Sequence, residues 1–398
     1  MRSLLLSFAF FCGVIFFVPA QETLEKGIVH DSLTVSGTNN ETFALYLPKS
    51  YQENTLSSII FIFEPAARGS IGIQPFISAS EKYGHILVCS NDSRNGPYER
   101  NFDIANNLFN HIFSQFIIKE DEMYLSGFSG GSRLASAIAS LTNKFAGVVG
   151  CGAGFSYLQE QMPAAQHYAY VGLCGTKDMN YKEMLENKGY LKLIKFNSTL
   201  ITYDGNHSWP PKKQVLRAFD WLHLQKLKKN GLAKDEAILE QYQSEYNQIQ
   251  KFKDSLDFLF AAEEYERLIK SYAGFYETDS LAKQLQQLKA SKPFKKQTAS
   301  LTNALKLEKK LSSKLIAQMS SDFENPEKTN FSWWENELRK VNALAEKQDK
   351  EINKMVYRIK FDLFARAYSR KNSLLYSNNK DQVKLIDQFL DIIYPKKE

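Results

Sequence analysis

Apolar residues recur along the chain in two rhythms, and the change between them falls near residue 228. Before that point, short and nearly continuous apolar runs alternate with stretches whose apolar residues lie three or four positions apart. IVHDSLTV (28–35) and FALYLP (43–48) are β-rich, with the turn formers Gly37-Thr38-Asn39-Asn40 between them, and predict an antiparallel hairpin or two edge strands. SSIIFIFEP (57–65) and HILVCSND (85–92) are continuous runs, the pattern of strands buried on both faces of a sheet. Segments 73–83 and 102–116 predict helices, the second with Ile104, Leu108, Ile112 and Phe116 at helical spacing. Further strands are predicted within 122–131, 145–154, 169–178 and 198–205, and helices over 132–141 and from Lys213 to Leu227. Such alternation predicts an α/β domain: a mostly parallel sheet with helices on both faces, binding its ligand at the carboxyl ends of the strands.

Beyond residue 228 glycine becomes rare and Lys, Glu, Gln, Leu and Tyr dominate. Helices are predicted over 235–253, 254–273, 279–290, 299–320, 331–349, 352–370 and 381–394, with breaks near Gly274, Pro293, Pro326 and Asn378-Asn379. The expectation is an all-α helical domain over 229–398. No clean repeat signature of about 34 residues is present, so degenerate tetratricopeptide-like helix pairs and a non-repeating bundle both stay open. Phe258, Phe260, Tyr265, Phe361, Phe364 and Tyr368 read as core packing, whereas Trp333-Trp334 resists explanation because neighbours on a helix cannot both point inward.

A length of 398 residues with 43% hydrophobic content allows two domains and argues against wholesale disorder. The first of the segments is neither. MRSLLLSFAFFCGVIFFVPA sets Arg2 before an apolar run that ends in small residues, the pattern of a signal peptide over 1–20 cleaved before Gln21. The α/β domain then occupies 21–228 of a secreted or periplasmic protein, with no stable membrane span after cleavage. Cys12 lies inside the apolar run. Cys89, Cys151 and Cys174 remain, either as one disulfide and a free thiol or as three buried small residues. They form no C-x-x-C pair and no metal-ligand cluster, and a dispersed net charge of +6 argues solubility rather than nucleic-acid binding.

Candidate chemistry centres on Gly127-Phe128-Ser129-Gly130-Gly131, a G-x-S-x-G turn between a hydrophobic strand and a small-residue helix. A serine hydroxyl is a weak nucleophile at neutral pH. It needs a histidine to take its proton, a carboxylate to hold that histidine, and N–H donors for the oxyanion. Asp178 ends VGLCGTKD, and His207 lies in YDGNHSWPP after the 198–203 strand; of His30, His85, His111, His167 and His207, the last alone follows both. Asp204 and Asp220 are alternative carboxylates. The first oxyanion donor should be the N–H of Gly130. The second should come from FEPAARG, where Pro65 has no N–H, leaving Ala66 first and Ala67 second. Arg68 is expected to pair with Glu64 or to bind an anion.

In its buried strand leading to an oxyanion loop, its serine elbow, Gly175-Thr176-Lys177-Asp178 and His207-Ser208-Trp209-Pro210, the N-terminal half resembles secreted α/β-hydrolases of the esterase and polyhydroxybutyrate depolymerase-like group. The resemblance implies an α/β-hydrolase fold, a Ser129–His207–Asp178 triad, no metal or organic cofactor, and hydrolysis of carboxylic esters. FEPAARG departs from the family's His-Gly oxyanion motif, and Gly130-Gly131 stands where relatives often have Ala-Gly. The expected substrate is an ester-containing small molecule, polysaccharide or polyester, with protein or polymer contact through the helical domain. A peptidase on the same fold, and a helical binding scaffold with a weak or inactive hydrolase domain, are the competing readings.

Overall fold

The continuous apolar runs become the interior of one sheet. The computed structural model describes residues 24–165, 167–231, 235–346, 349–374 and 379–395; the predicted signal segment with Cys12, and Asn378, lie outside the described residues. In chain order the first half contains β1 (Val29–Thr34), β2 (Thr42–Tyr46), β3 (Ser57–Phe63), α1 (Gly69–Ile73), α2 (Ile77–Tyr83), β4 (His85–Ser90), α3 (Tyr98–Gln115), β5 (Ile118–Phe128), α4 (Gly130–Thr142), β6 (Gly147–Cys151), β7 (Ala169–Gly175), α5 (Tyr181–Leu193), β8 (Ser198–Tyr203) and α6 (Lys212–Lys229). The sheet order is β1-β2-β4-β3-β5-β6-β7-β8. Strand β2 runs antiparallel to both β1 and β4, and every other pairing is parallel.

Both faces of the sheet are covered, which is why β3 reads as an unbroken apolar run rather than an alternation: all seven of its residues are buried. Ile59, Phe61 and Phe63 enter the core beneath α3 and α4 with Leu108, Ile112, Leu134 and Ile138. Ile60 and Ile62 point the other way, into a core shared with Phe76, Val215 and Phe219. Cys89, Cys151 and Cys174 are all buried and free. Helix α5 had no counterpart in the periodicity, because its only buried residues are Tyr181, Met184 and Leu191 and it contains Gly189, a poor helix former.

The second half is helical throughout its named elements: α7 (Glu236–Asp254), α8 (Phe258–Tyr272), α9 (Asp279–Ala290), α10 (Lys292–Glu324), α11 (Phe331–Ala345), α12 (Lys350–Leu374) and α13 (Lys380–Ile393). Helix α8 packs on α7 and α9, and α12 packs on α10, α11 and α13. The breaks have local causes. Asp235, Ser291 and Asn330 accept backbone N–H groups at the starts of α7, α10 and α11. Pro293 sits in the first turn of α10, where its missing N–H costs no helix bond. The tryptophan pair divides its roles: Trp334 is fully buried and donates Nε1–H to Asp322 Oδ2 at 2.6 Å, while Trp333 lies at the edge of the core under the Lys314 ammonium.

Among the contacts that join the halves, three lie at the sheet edge and the buried seam. Strand β8 is the last of the sheet, and the Glu263 carboxylate on α8 accepts both the Thr202 N–H and the Thr202 hydroxyl at 2.8 Å, capping its free edge. Leu301 and Leu305 of α10 pack on a cluster of Cys174, Tyr181, Met184 and Leu200. Arg358 of α12 is wholly buried; it donates to the Thr176 carbonyl at 2.7 Å and, through Nε and Nη2, to the Glu308 carboxylate of α10 at 2.9 and 2.5 Å. Removing one partner of such a pair strands a charge in the interior, so R358A should destabilise the full-length protein by about 3–5 kcal/mol in urea unfolding. The double replacement R358M/E308L should recover most of that loss; recovery failing altogether would mean that the Thr176 contact, not the stranded carboxylate, dominates.

Candidate active site

Strand β5 stays buried through Phe128, and α4 begins at Gly130, so the whole change of direction falls on Ser129. Its backbone stands at φ 53° and ψ −118°, a conformation that costs a non-glycine residue about 1–3 kcal/mol. The turn is held because Ser129 N–H donates to the Cys151 carbonyl at 2.8 Å. The two flanking glycines are required by contact. A Cβ on Gly127 would lie 2.3 Å from the Gly131 carbonyl oxygen, and one on Gly131 would lie 2.0 Å from that of Phe63. Helix and strand therefore cross at backbone distance, and the serine side chain is driven outward.

Asp178 and His207 arrive on two loops bound to each other at the ends of β7 and β8. Thr176 N–H donates to the Tyr203 carbonyl and Lys177 N–H to that of Gly205, both at 2.8 Å, while Asp178 N–H closes its own turn on Gly175 at 3.0 Å. This registration brings His207 Nδ1 to 2.9 Å from Asp178 Oδ1 and His207 Nε2 to 3.1 Å from Ser129 Oγ. A carboxylate accepts, so Nδ1–H is the donor to Asp178 and Nε2 is left to accept the serine proton. Asp178 is 1% exposed. Its Oδ1 also accepts from Asn180 N–H at 2.8 Å, and its Oδ2 is buried without a hydrogen-bond partner. Burial holds the Asp178 carboxyl above its ordinary value, against the downward pull of His207 and Asn180.

The other candidate carboxylates are committed elsewhere: Asp204 pairs with Lys177 at 3.1 Å, and Asp220 accepts from Lys82 and Tyr83. A sixth histidine, His223, also follows Ser129 and Asp178 in the chain, so order alone does not single out His207. His223 lies on α6, its ring packed on Tyr83 with centroids 5.0 Å apart. Arg68 pairs with Glu64, as the sequence suggested.

The oxyanion loop differs from expectation. Ala66 N–H, the expected second donor, points to Glu64 Oε2 at 2.7 Å, and Ala67 N–H to the Glu64 carbonyl at 3.1 Å. Arg68 N–H goes to Glu64 Oε2 and Gly69 N–H to Asn91 Oδ1. The reason is Glu64 itself: a fully buried carboxylate must be satisfied, and it draws the loop's amides inward. Gly130 differs, because at the first position of α4 its N–H has no intrahelical acceptor.

The helical half reaches this site. Phe361 of α12, expected in the helical core, has its ring centroid 5.8 Å from that of His207, and Phe128 lies 4.7 Å from the same ring. Tyr357 OH lies 3.4 Å from Asn206 Nδ2, and Arg358 holds the carbonyl of Thr176, two residues from Asp178. Spacing along α12 places these residues together, but nothing in the sequence says which domain they face. Among the described residues no cluster of His, Cys, Asp or Glu could hold a metal ion, and no helix is long and apolar enough to cross a membrane.

An eight-stranded sheet with its second strand reversed, a serine elbow after β5, an aspartate after β7 and a histidine after β8 decide the architecture. The N-terminal half has the α/β-hydrolase fold. No family model and no curated protein matches the chain. Solved structures similar to the α/β-hydrolase half include S-formylglutathione hydrolase from Staphylococcus aureus, at 17% identity over 49% of this chain and 95% of that one, TM-score 0.41. A feruloyl esterase module from Clostridium thermocellum, in complex with sinapinate, is 14% identical over 50% of this chain and 87% of its own, TM-score 0.40. Thermogutta terrifontis esterase 2, phosphonylated by sarin, is 12% identical over 53% and 99%, TM-score 0.40. The assignment of the α/β-hydrolase fold rests on strand order and the elbow rather than on these distant likenesses.

A carboxyl whose folded value is raised binds its proton more tightly in the fold. Its contribution to stability is full below the ordinary value of 3.8 and is lost as pH rises through the raised one. Asn at position 178 does not titrate, so D178N should gain stability relative to the wild type between about pH 4 and 7. Urea unfolding at the two pH values checks this, and an advantage that shrinks with rising pH would contradict it.

Proposed function

We propose that the protein is a serine hydrolase acting on carboxylic esters through Ser129, His207 and Asp178. The observation that carries the reading is the unbroken chain of hydrogen bonds from Ser129 Oγ through both ring nitrogens of His207 to Asp178. Ser129 Oγ attacks the ester carbonyl carbon as its proton passes to His207 Nε2, and the carbonyl electron pair moves to oxygen. The Gly130 N–H donates to that oxyanion. Collapse of the intermediate breaks the bond to the alcohol, which leaves with the proton from Nε2. Water then adds to the acyl-enzyme with His207 as base, releasing the acid and restoring the serine.

Asp178 supplies more than orientation. Its anion is buried, with one oxygen unpaired, so it is poorly stabilised while His207 is neutral. An imidazolium formed at 2.9 Å relieves that condition as the transition state is approached, and so acts on the rate rather than on ground-state binding. The rings of Phe128 and Phe361 pack near the imidazole and lower the polarity around it, which strengthens the same interaction.

A fluorophosphonate should label Ser129, and wild type should hydrolyse p-nitrophenyl acetate. S129A should lose labelling and roughly 10³–10⁶-fold in kcat, and S129A/H207A should be little worse than either single variant because the residues act as a unit. A folded protein that is neither labelled nor active on a panel of short and long acyl esters would overturn the reading.

A further inference from the structure

We infer that the side-chain amide of Asn95 is the second oxyanion donor, the place that the loop after β3 leaves empty. The inference rests on the serine-hydrolase reading and deepens it. An oxyanion held by one N–H is poorly stabilised, and a second donor must lie close to the first. Pro65 has no N–H, and the N–H groups of Ala66, Ala67, Arg68 and Gly69 are all turned to Glu64 or Asn91. The loop of residues 93–97 lies directly across from them. Ala66 and Arg94 form an antiparallel bridge, and Asn95 N–H donates to the Pro65 carbonyl at 2.9 Å.

This pairing lays the Asn95 side chain on the elbow. A Cβ built on Gly130 would find Asn95 Oδ1 at 1.9 Å, Cγ at 2.9 Å and Nδ2 at 3.6 Å, and these are its three nearest neighbours. The amide therefore occupies the space beside the one backbone donor of the hole, and among the described residues its side chain makes no hydrogen bond of its own. Exchange of its oxygen and nitrogen by a half-turn about the last torsion costs little where neither end is bonded, and presents Nδ2–H in place of Oδ1. The glycine at 130 then has a cause: a methyl group there would fill the position of the amide.

The experiment is a double-mutant cycle on the full-length protein with p-nitrophenyl acetate. N95A should lower kcat by about 10²–10³-fold with little change in KM, the range for loss of one oxyanion donor. G130A should displace the amide and fall toward the same level, and N95A/G130A should be no worse than about N95A alone. A trifluoromethyl ketone, which mimics the tetrahedral state, should weaken in parallel with kcat across the series, a readout that a purely structural asparagine would not move. N95A within about twofold of wild type, or additive losses in the cycle, overturns the donor while leaving the hydrolase reading intact. Wild type without Ser129-dependent turnover overturns both.

Discussion

The carbonyl oxygen of Phe63 sets the geometry of the active-site region. It lies at the end of β3, where β5 and α4 must pass it on either side of a single turn, and it leaves no room for a Cβ on Gly131 and little for one on Gly127. Strand and helix can approach this closely only if the residue between them takes the strained backbone of Ser129. The hydroxyl then stands clear of the sheet at the carboxyl ends of the strands. The same ends carry the Asp178 and His207 loops, which are registered to each other by backbone hydrogen bonds and not merely by proximity. Strain in one residue is held by the packing of three elements.

The helical half bears on that arrangement through α12. Arg358 binds the carbonyl of Thr176 from the buried side, and one turn further along the helix Phe361 faces the His207 ring. A guanidinium with no exposure is tolerable only when its charge is matched, which Glu308 of α10 does with three hydrogen bonds. Two helices and the loop after β7 are thus linked by one buried ion pair. The helical domain forms a wall of the candidate site, so its packing bears on what can approach the serine.

Glu64 illustrates the opposite pressure. Buried at the end of β3, it is satisfied by two amides of its own loop and by Arg68, and that local satisfaction removes the donors that the loop was expected to offer. A polar group that must be paired in the interior reorients backbone at the site, and the site must then draw a donor from a different segment. The loop after β4 is placed to meet that need because its backbone pairs with Pro65 and Ala66.

Much of this was legible in the chain. Unbroken apolar runs such as 57–63 specify strands buried on both faces, because only a covered sheet can hide every residue of such a run. Glycines flanking Ser129 specify a turn of close approach, and Asp178 and His207 were placed at strand ends by the runs before them. Helix α5 was not legible, since few of its residues are buried, and the rank of His207 over His223 was not decided by chain order. What only the tertiary structure decided are relations between segments distant in sequence: the meeting of Ser129, His207 and Asp178, the engagement of Ala66 by Glu64, the turning of Phe361 toward His207, and the fit of Asn95 against Gly130. The sequence by itself determined which residues must be buried and where the backbone must turn, because burial and turning are local properties of composition and spacing. Which hydrogen-bond groups remain free is settled only once every buried polar group has found its partner, and that is a property of the assembled fold.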